Sequence, residues 1–342
     1  MKFSDTVVTN VTQALPVSVV ICARNESQNL QENLPLIMTQ DYLDFEVVLV
    51  NDCSTDDSSI ILNHLENNYP NLKVVTVTEH KRFKTGKKFA LTMGIKAAKN
   101  EHLLLTDADC KPASNQWIKL MQAKFSDQQK IVLGYSPYQK TGKFLNTFIR
   151  FETIKTAINY LSAALNNHPY MGVGRNLAYT KSLFFRSKGF ASHLHLISGD
   201  DDLFINQNAT AVNTAVQINP EAHTYSETKS NLSDYYRQKR RHMGVGKYYK
   251  SRNRISITLD ALSGFLFYTL FAILLFLKFE PWIVGGIFIF RLIAQCLIYP
   301  KIFRKLDAAD LIWWFPVLDL FYYIYLNLFG VVGSVTKNLK WK

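Results

Sequence analysis

The sequence predicts a doubly wound α/β sheet followed by a group of apolar C-terminal helices. Three observations carry this. Four β-branched runs alternate with helix-like segments over the first 125 residues; polar residues, many of them acids, follow those runs; and the chain turns strongly apolar near residue 256. The strands read as "VSVVICA" (17–23), "FEVVLVN" (45–51), "LKVVTVT" (72–78) and "EHLLLTD" (101–107). Continuous apolar runs of this length suit strands covered on both faces of a parallel sheet. Helices are expected at 27–38, 56–68, 87–99 and 114–125, with Asp56 and Ser114 as N-caps. Strand–helix alternation of this kind builds an open sheet that binds ligands at the carboxyl ends of its strands.

Those carboxyl ends are where the polar residues gather. The first strand leads into Arg24, Asn25 and Glu26, the second into Asn51, Asp52, Ser54, Thr55 and Asp56, and the fourth ends at Asp107 and Asp109. Helix capping explains one such cluster, and Asp56 suits it. Three acidic strand ends on one rim point instead to a shared ligand. Residues 140–255 are less regular, with an amphipathic helix expected from Phe144 to Leu165, a glycine-bearing loop "MGVGRNLAY" (171–179) and three consecutive aspartates in "SGDDDLF" (198–204).

The tail holds three apolar stretches, near 259–278, 281–299 and 311–332, each close to the roughly 20 residues that cross a bilayer core. Arg291 and Asp319 interrupt them and are expected to approach each other, because charges at that depth pair or face protein. The domain reading is 1–140 for the half that bears the four strands, 141–255 for the less regular half ending in a basic juxtamembrane segment, and 256–342 for about three membrane helices; the resemblance described below implies nucleotide-sugar binding for the first and acceptor binding and catalysis for the second.

The net charge of +12 suggests an anionic partner. Eight Lys and Arg lie between Arg237 and Arg254 with no acid among them, just before the first apolar stretch. Membrane orientation is therefore the leading reading, and nucleic acid is not expected, since no recognition motif accompanies the charge. This block and "PKIFRK" (300–305) should face the cytoplasm, with "KFEP" on the other side. Three crossings would then carry Lys337, Lys340 and Lys342 outside, against the same rule, so the third stretch lies partly in the interface or the crossings are even in number. Residues 1–15 are polar and read as no secretory leader. Four cysteines without a CxxC or zinc spacing fit a reducing compartment.

Two carboxylates one residue apart repel each other unless a cation sits between them. Mg2+ or Mn2+, with oxygen ligands and positions open to phosphate oxygens, would let Asp107 and Asp109 hold a diphosphate. Asp-x-Asp is common in surface loops; its place directly after a buried strand singles this one out.

The ordered set "VVICARNE", "VVLVNDCSTDDS", "GKKFAL", "LLLTDADC", "GVGRNLAY", "SGDDDLF" and "QKRRH" resembles the family 2 glycosyltransferases, inverting enzymes with a GT-A fold, over roughly residues 16–255. The resemblance implies nucleoside contact by Asp52 and a base and ribose pocket lined by Ala23, Arg24, Asn25 and Glu26. It implies that Gly86, Lys87, Ala90 and Leu91 lie near the nucleotide, with Lys87 the binding residue. The metal would be held by Asp107 and Asp109, the second directly, and the acceptor met by Gly174 and Asn176. The base should come from the aspartate run: registering on Gly199 selects Asp201, with Asp200 in the place of the family's Glu, while registering on Leu203 favours Asp202. Asp201 is the preferred reading. An acidic cap for a helix starting near Leu203 explains the same run, and the two roles are compatible. "QKRRH" resembles the QxxRW signature of membrane-bound members. Gln238 and Arg241 would then lie by the diphosphate, and His242 replaces the Trp that meets the acceptor, which removes the argument for processive synthesis.

These readings predict a membrane-anchored, metal-dependent inverting transferase in the cell inner membrane, with a cytoplasmic catalytic domain. It would move a sugar from a nucleotide-diphospho-sugar, chiefly a UDP-sugar, to a lipid or membrane-held glycan. A polysaccharide synthase of the same family is the nearest alternative, and a polyprenyl-phosphate sugar synthase is disfavoured. A nucleotidyltransferase should show a glycine-rich loop after the first strand, which "CARNESQNL" lacks. A non-catalytic scaffold should have lost the acids, and all are present. The sequence carries no signal of oligomeric state.

Overall fold

The computed structural model describes residues 14–78 and 86–335. Lys337, Lys340 and Lys342 lie outside the described residues, as do most of residues 1–15. The described strands are β1 (Val17–Ala23), β2 (Phe45–Asp52), β3 (Leu72–Val77), β4 (His102–Asp107), β5 (Lys111–Pro112), β6 (Ile131–Leu133), β7 (Leu177–Thr180), β8 (Thr214–Val216) and β9 (Thr224–Tyr225). The helices are α1 (Ser27–Met38), α2 (Ser58–Asn68), α3 (Lys87–Ala97), α4 (Trp117–Gln122), α5 (Phe144–Leu165), α6 (Lys181–Arg186), α7 (Asp202–Asn208), α8 (Leu232–Met243), α9 (Ser251–Phe276), α10 (Pro281–Lys305) and α11 (Phe315–Val335).

The chain divides into two compact units. One comprises the described residues up to Gln139 with Asn159–Glu227, and the other Lys140–Ile158 with the described residues from Thr228 onward. The expected middle segment, 141–255, is therefore shared between the two units.

The first unit is built on a seven-stranded sheet of order β3-β2-β1-β4-β7-β6-β8. β3, β2, β1 and β4 run parallel, with Ala23 beside Asn51 and Cys22 beside Asp107. Every residue of β2 is buried, which is why its apolar run is continuous and does not alternate. Helix α3 lies close on this sheet: a Cβ at Gly94 would come within 2.8 Å of Val20 Cγ1 and Val50 Cγ2. The sheet is not parallel throughout, as a doubly wound reading implies, because β7 joins β4 antiparallel and β6 joins β7 antiparallel. These added strands are three or four residues long, too short for a periodicity to announce them. The acidic strand ends of β2 and β4 thus flank β1 at one edge.

The second unit holds the first part of α5 with α8, α9, α10 and α11. Helices α9 and α10, of 26 and 25 residues, are long and apolar enough to cross a bilayer by length and composition, and the apolar α11 follows with 21 residues. Arg291 and Asp319 meet as expected, at 2.9 Å. The fully buried Asp319 carboxylate also accepts from Lys155 at 3.0 Å, Tyr268 at 2.9 Å and Gln295 at 3.2 Å. One acid therefore ties α5, α9, α10 and α11, and those added donors make its burial tolerable.

Candidate active site

The loops after β1 and β2 are stitched to each other. Asn25, at φ 55°, donates its N–H to Ser54 Oγ (3.0 Å), and its Oδ1 accepts from the Thr55 N–H (2.8 Å). The Glu26 N–H donates to Ser58 Oγ at 3.3 Å. Asp56 serves two helix starts at once, accepting the Ser27 and Ser58 N–H groups, each at 3.1 Å. Slight burial raises its pKa, but these hydrogen bonds from Ser58 and Ser27 outweigh it and hold the carboxyl at about 2. The left-handed backbone at Asn25 is a conformation that Asn tolerates well among non-glycine residues. Ala23 and Asp52 are buried at the floor of these loops, with Arg24 and Glu26 half-buried beside them.

Lys87, at the start of α3, joins two acidic groups. Its Nζ lies 2.9 Å from Asp107 and 3.0 Å from Asp200. Burial alone would lower its pKa; the charges of Asp107, Asp200 and Asp201 outweigh burial and raise it well above the ordinary lysine value. The thiol of Cys22, at the end of β1, is raised by burial and feels Lys87, Asp107, Asp52 and Asp200 together. Acids from β2, β4 and the segment before α7 therefore all act on the Cys22 thiol, and those of β4 and the segment before α7 meet at Lys87.

The aspartate run splits by environment. Asp200 is buried, and although burial opposes its charge, the Lys87 ammonium holds it below the usual carboxylate range. Asp201 goes the other way: burial, then the adjacent Asp200 charge, raise it against the pull of Lys87. Its two oxygens are fixed by backbone donors, Oδ2 by the Gly174 N–H and Oδ1 by the Asp202 N–H, both at 2.8 Å. A pair of carboxyls pushed apart in this way gives one fixed anion and one group suited to exchanging a proton. Asp201 also heads α7 as its N-cap, so the expected acidic cap is present at the residue preferred as the base. Asp202 turns to the helix, accepting the Leu203 N–H at 2.7 Å.

Asn176 is placed differently from the acceptor-contacting expectation. Its side chain is wholly buried and spent on the fold: Oδ1 accepts from the Trp117 indole N–H (3.1 Å), and Nδ2 donates to the Tyr135 and Ala222 carbonyls (2.8 Å each). A side chain so occupied holds the Gly174–Arg175 turn in place. Gly174 contributes its N–H to Asp201, and a Cβ there would stand 3.3 Å from the same carboxylate.

Two residues escaped the sequence reading. Arg175 stacks its guanidinium 4.1 Å over the Tyr138 ring and donates from Nη2 to the Ser136 carbonyl at 3.0 Å. Its buried Nη1 has no hydrogen-bond partner among the described residues, and Asp109 and Asp107 are among the charges acting on it. Lys88 is buried and bonds three backbone carbonyls. Both sit inside quoted motifs, next to Gly174 and Lys87, so position was their only signal. Gln238, Arg241 and His242 lie on α8 of the second unit.

Among the described residues, no three His, Cys, Asp or Glu side chains gather to cage a metal unaided. Asp107 and Asp109 are partly exposed carboxylates at a strand end, and Asp109 makes no ion pair among the described residues. That donor set suits a hard divalent ion whose remaining ligands come from a bound phosphate and water.

The model of the Glycosyl transferase family 2 domain matches residues 18–190, and that of the Glycosyl transferase family group 2 matches residues 115–330. Among curated proteins, the chain is 28% identical over 202 residues to Glycosyltransferase AglE of Haloferax volcanii, covering 56% of this chain and 60% of that protein. It is 30% identical over 93 residues to a poly-beta-1,6-N-acetyl-D-glucosamine synthase of Staphylococcus epidermidis, covering 27% of this chain and 21% of that one. The chain thus spans less than two thirds of the length of these relatives. Among solved structures it shares the fold of a mannosyltransferase from Pyrobaculum calidifontis determined with GDP-Man and Mn2+, with a TM-score of 0.59, 16% identity, and coverage of 94% of this chain and 88% of that one.

Proposed function

The chain belongs to glycosyl transferase family 2, and from that membership we propose that it is a membrane-anchored inverting transferase. It takes a sugar from a nucleotide-diphospho-sugar and places it on a lipid or membrane-held glycan. The observation that carries the reading is the Lys87 bridge, which joins Asp107 of the metal motif to Asp200 of the base motif.

The nucleoside end of the donor lies against the stitched loops, with Ala23, Arg24, Asn25 and Glu26 as walls and Asp52 at the floor. Asp107 and Asp109 hold Mg2+ or Mn2+, which supplies charge neutralisation on the departing diphosphate. The Mn2+ and GDP-mannose of the mannosyltransferase neighbour support a divalent ion and a diphospho-sugar; UDP is the nucleoside diphosphate expected for this chain. Asp201 accepts the proton of the acceptor hydroxyl as that oxygen bonds the anomeric carbon, and the carbon–oxygen bond to the diphosphate breaks on the opposite face. The anomeric centre therefore inverts. The raised proton affinity of Asp201 suits it to this task, and its two backbone donors fix the carboxylate plane. Gly174 shapes the acceptor side, and Asn176 secures it from behind.

Helices α9 and α10 form the membrane anchor. Two crossings return the chain to its starting side and resolve the conflict that three would create. Exposed Trp282 and Trp313 suit the bilayer interfaces, and Arg237, Lys247, Lys250, Arg252 and Arg254 face anionic headgroups of the inner membrane from the cytoplasm. The N-acetylglucosamine polymer synthase among the relatives favours a second reading, extension of a surface polysaccharide.

The test is release of nucleoside diphosphate from a panel of UDP- and GDP-sugars incubated with native membrane lipids, with mass analysis of the products. Asp109→Ala and Asp201→Ala should each abolish release in folded protein. Retained release by both variants overturns the site assignment.

A further inference from the structure

Helix α3 opens with two lysines that do different work. Lys87 reaches carboxylates, whereas Lys88 reaches backbone. The Lys88 Nζ donates to the carbonyls of His193 (2.7 Å), Leu196 (3.1 Å) and Ser198 (2.7 Å). An ammonium has three donors, and here three carbonyls from one short segment take them. The side chain is 4% exposed, so these bonds form away from water, where a charge without partners would be strongly unfavourable.

The segment it grips has little regular structure, with one turn bond running from the Leu196 N–H to the His193 carbonyl at 3.1 Å. Residues 194–200 belong to no helix or strand, and Gly199 turns the chain at φ 97° immediately before Asp200 and Asp201. Helix α3, in contrast, is packed tightly on the central sheet at Gly94. A loose segment carrying two acids is thus tied at three points to a rigid helix.

We propose that Lys88 is a positioning residue, whose ammonium fixes the 193–199 segment and thereby sets where Asp200 and Asp201 stand in the cleft. This rests on the reading of Asp201 as the base. Lys88 touches neither acid directly and acts through the carbonyls of the segment that leads into them. A residue of similar length without donors cannot reproduce this, and neither can Lys87, which is engaged with Asp107 and Asp200.

Lys88→Met in the full-length protein tests the proposal, with Lys88→Gln, which keeps an N–H donor, as companion if Lys88→Met is not recovered folded. Hydrogen exchange of amides 193–200 should quicken about tenfold or more, while strands β2 and β4 keep their protection. The turnover number should fall about 10- to 100-fold, as misplacement of a reacting group by an ångström does. The Michaelis constant for the donor should stay within about twofold, because the nucleoside loops are held by other bonds. Lys88→Arg should restore part of the protection and part of the turnover. Unchanged exchange at 193–200, or unchanged turnover in folded Lys88→Met, overturns the proposal. So does quickened exchange spread evenly over both units, which marks a general loss of stability. Asp201→Asn is the control on the underlying reading. If it turns over normally, the base assignment falls, and the catalytic part of the proposal falls with it; if it is inactive while Lys88→Met is fully active, only the role of Lys88 falls.

Discussion

Replacing Asn176 distinguishes a residue that meets the acceptor from one that supports the site. Asn176→Ala removes three buried hydrogen bonds together, those with the Trp117 indole and with the Tyr135 and Ala222 carbonyls. Trp117 and Asn176 are both wholly buried, so water cannot take over these groups. A buried donor or acceptor left without its partner costs about 1–3 kcal/mol. Three such groups, with partial relaxation, give a loss of about 3–5 kcal/mol. For a unit of this size each kcal/mol moves the unfolding midpoint by about 2–4 °C, so the expected fall is roughly 10 °C. Asn176→Asp keeps the bond to the indole but turns a carboxylate oxygen toward two carbonyls, so it should destabilise at least as much. Gly134→Ala should act similarly, since a Cβ there would come 2.5 Å from the Asn176 side chain. Differential scanning calorimetry of the detergent-purified protein measures the midpoint, and acceptor KM is read below the transition. An unchanged midpoint with a several-fold higher acceptor KM in Asn176→Ala would refute this reasoning and return Asn176 to the acceptor surface.

The remaining predictions concern charge. Asp201→Asn should lower turnover about 10²- to 10⁴-fold, the range for loss of a general base, with donor binding by calorimetry retained. The acid limb of kcat/KM should follow Asp201, whose pKa is raised by burial and then by the Asp200 charge. Activity should therefore rise with pH through a value above the ordinary carboxylate range. Asp200→Asn should move that limb to lower pH, and Lys87→Met, which removes the opposing cation, to higher pH; a limb that stays put in both variants argues against Asp201. Asp319→Ala leaves Lys155 and Arg291 without their shared anion and should cost about 3–5 kcal/mol, seen as a lower midpoint by thermal unfolding in detergent. An unshifted midpoint would show that these cations find other partners.

Much of the strand–helix alternation of the first 125 residues is legible from residue pattern. The continuous runs at 17–23 and 45–51 mark β1 and β2 because both faces of those strands are covered, and Ser27–Met38 and Phe144–Leu165 are recovered as helices. The antiparallel strands β6 and β7 were not legible, since three or four residues carry no period. The pairing of Arg291 with Asp319 followed from the expense of isolated charge among apolar residues. The site's acids were visible as types, but their division of labour was not: only the placement of Lys87 shows that Asp200 is held as an anion while Asp201 is pushed toward protonation. Asn176 was misplaced for a similar reason, because a polar residue in a glycine loop looks the same whether it faces ligand or the interior. Lys88 was passed over because backbone carbonyls leave no mark in a sequence.

The hydrogen bonds between the turns after β1 and β2 tie those two turns to each other, whereas the irregular 193–199 segment takes three of its bonds from one side chain, the Lys88 ammonium. Such a division would let the turns after β1 and β2 stay fixed while the 193–199 segment changes. On the proposed function, variation in 193–199 is therefore where directed mutagenesis for altered products should begin.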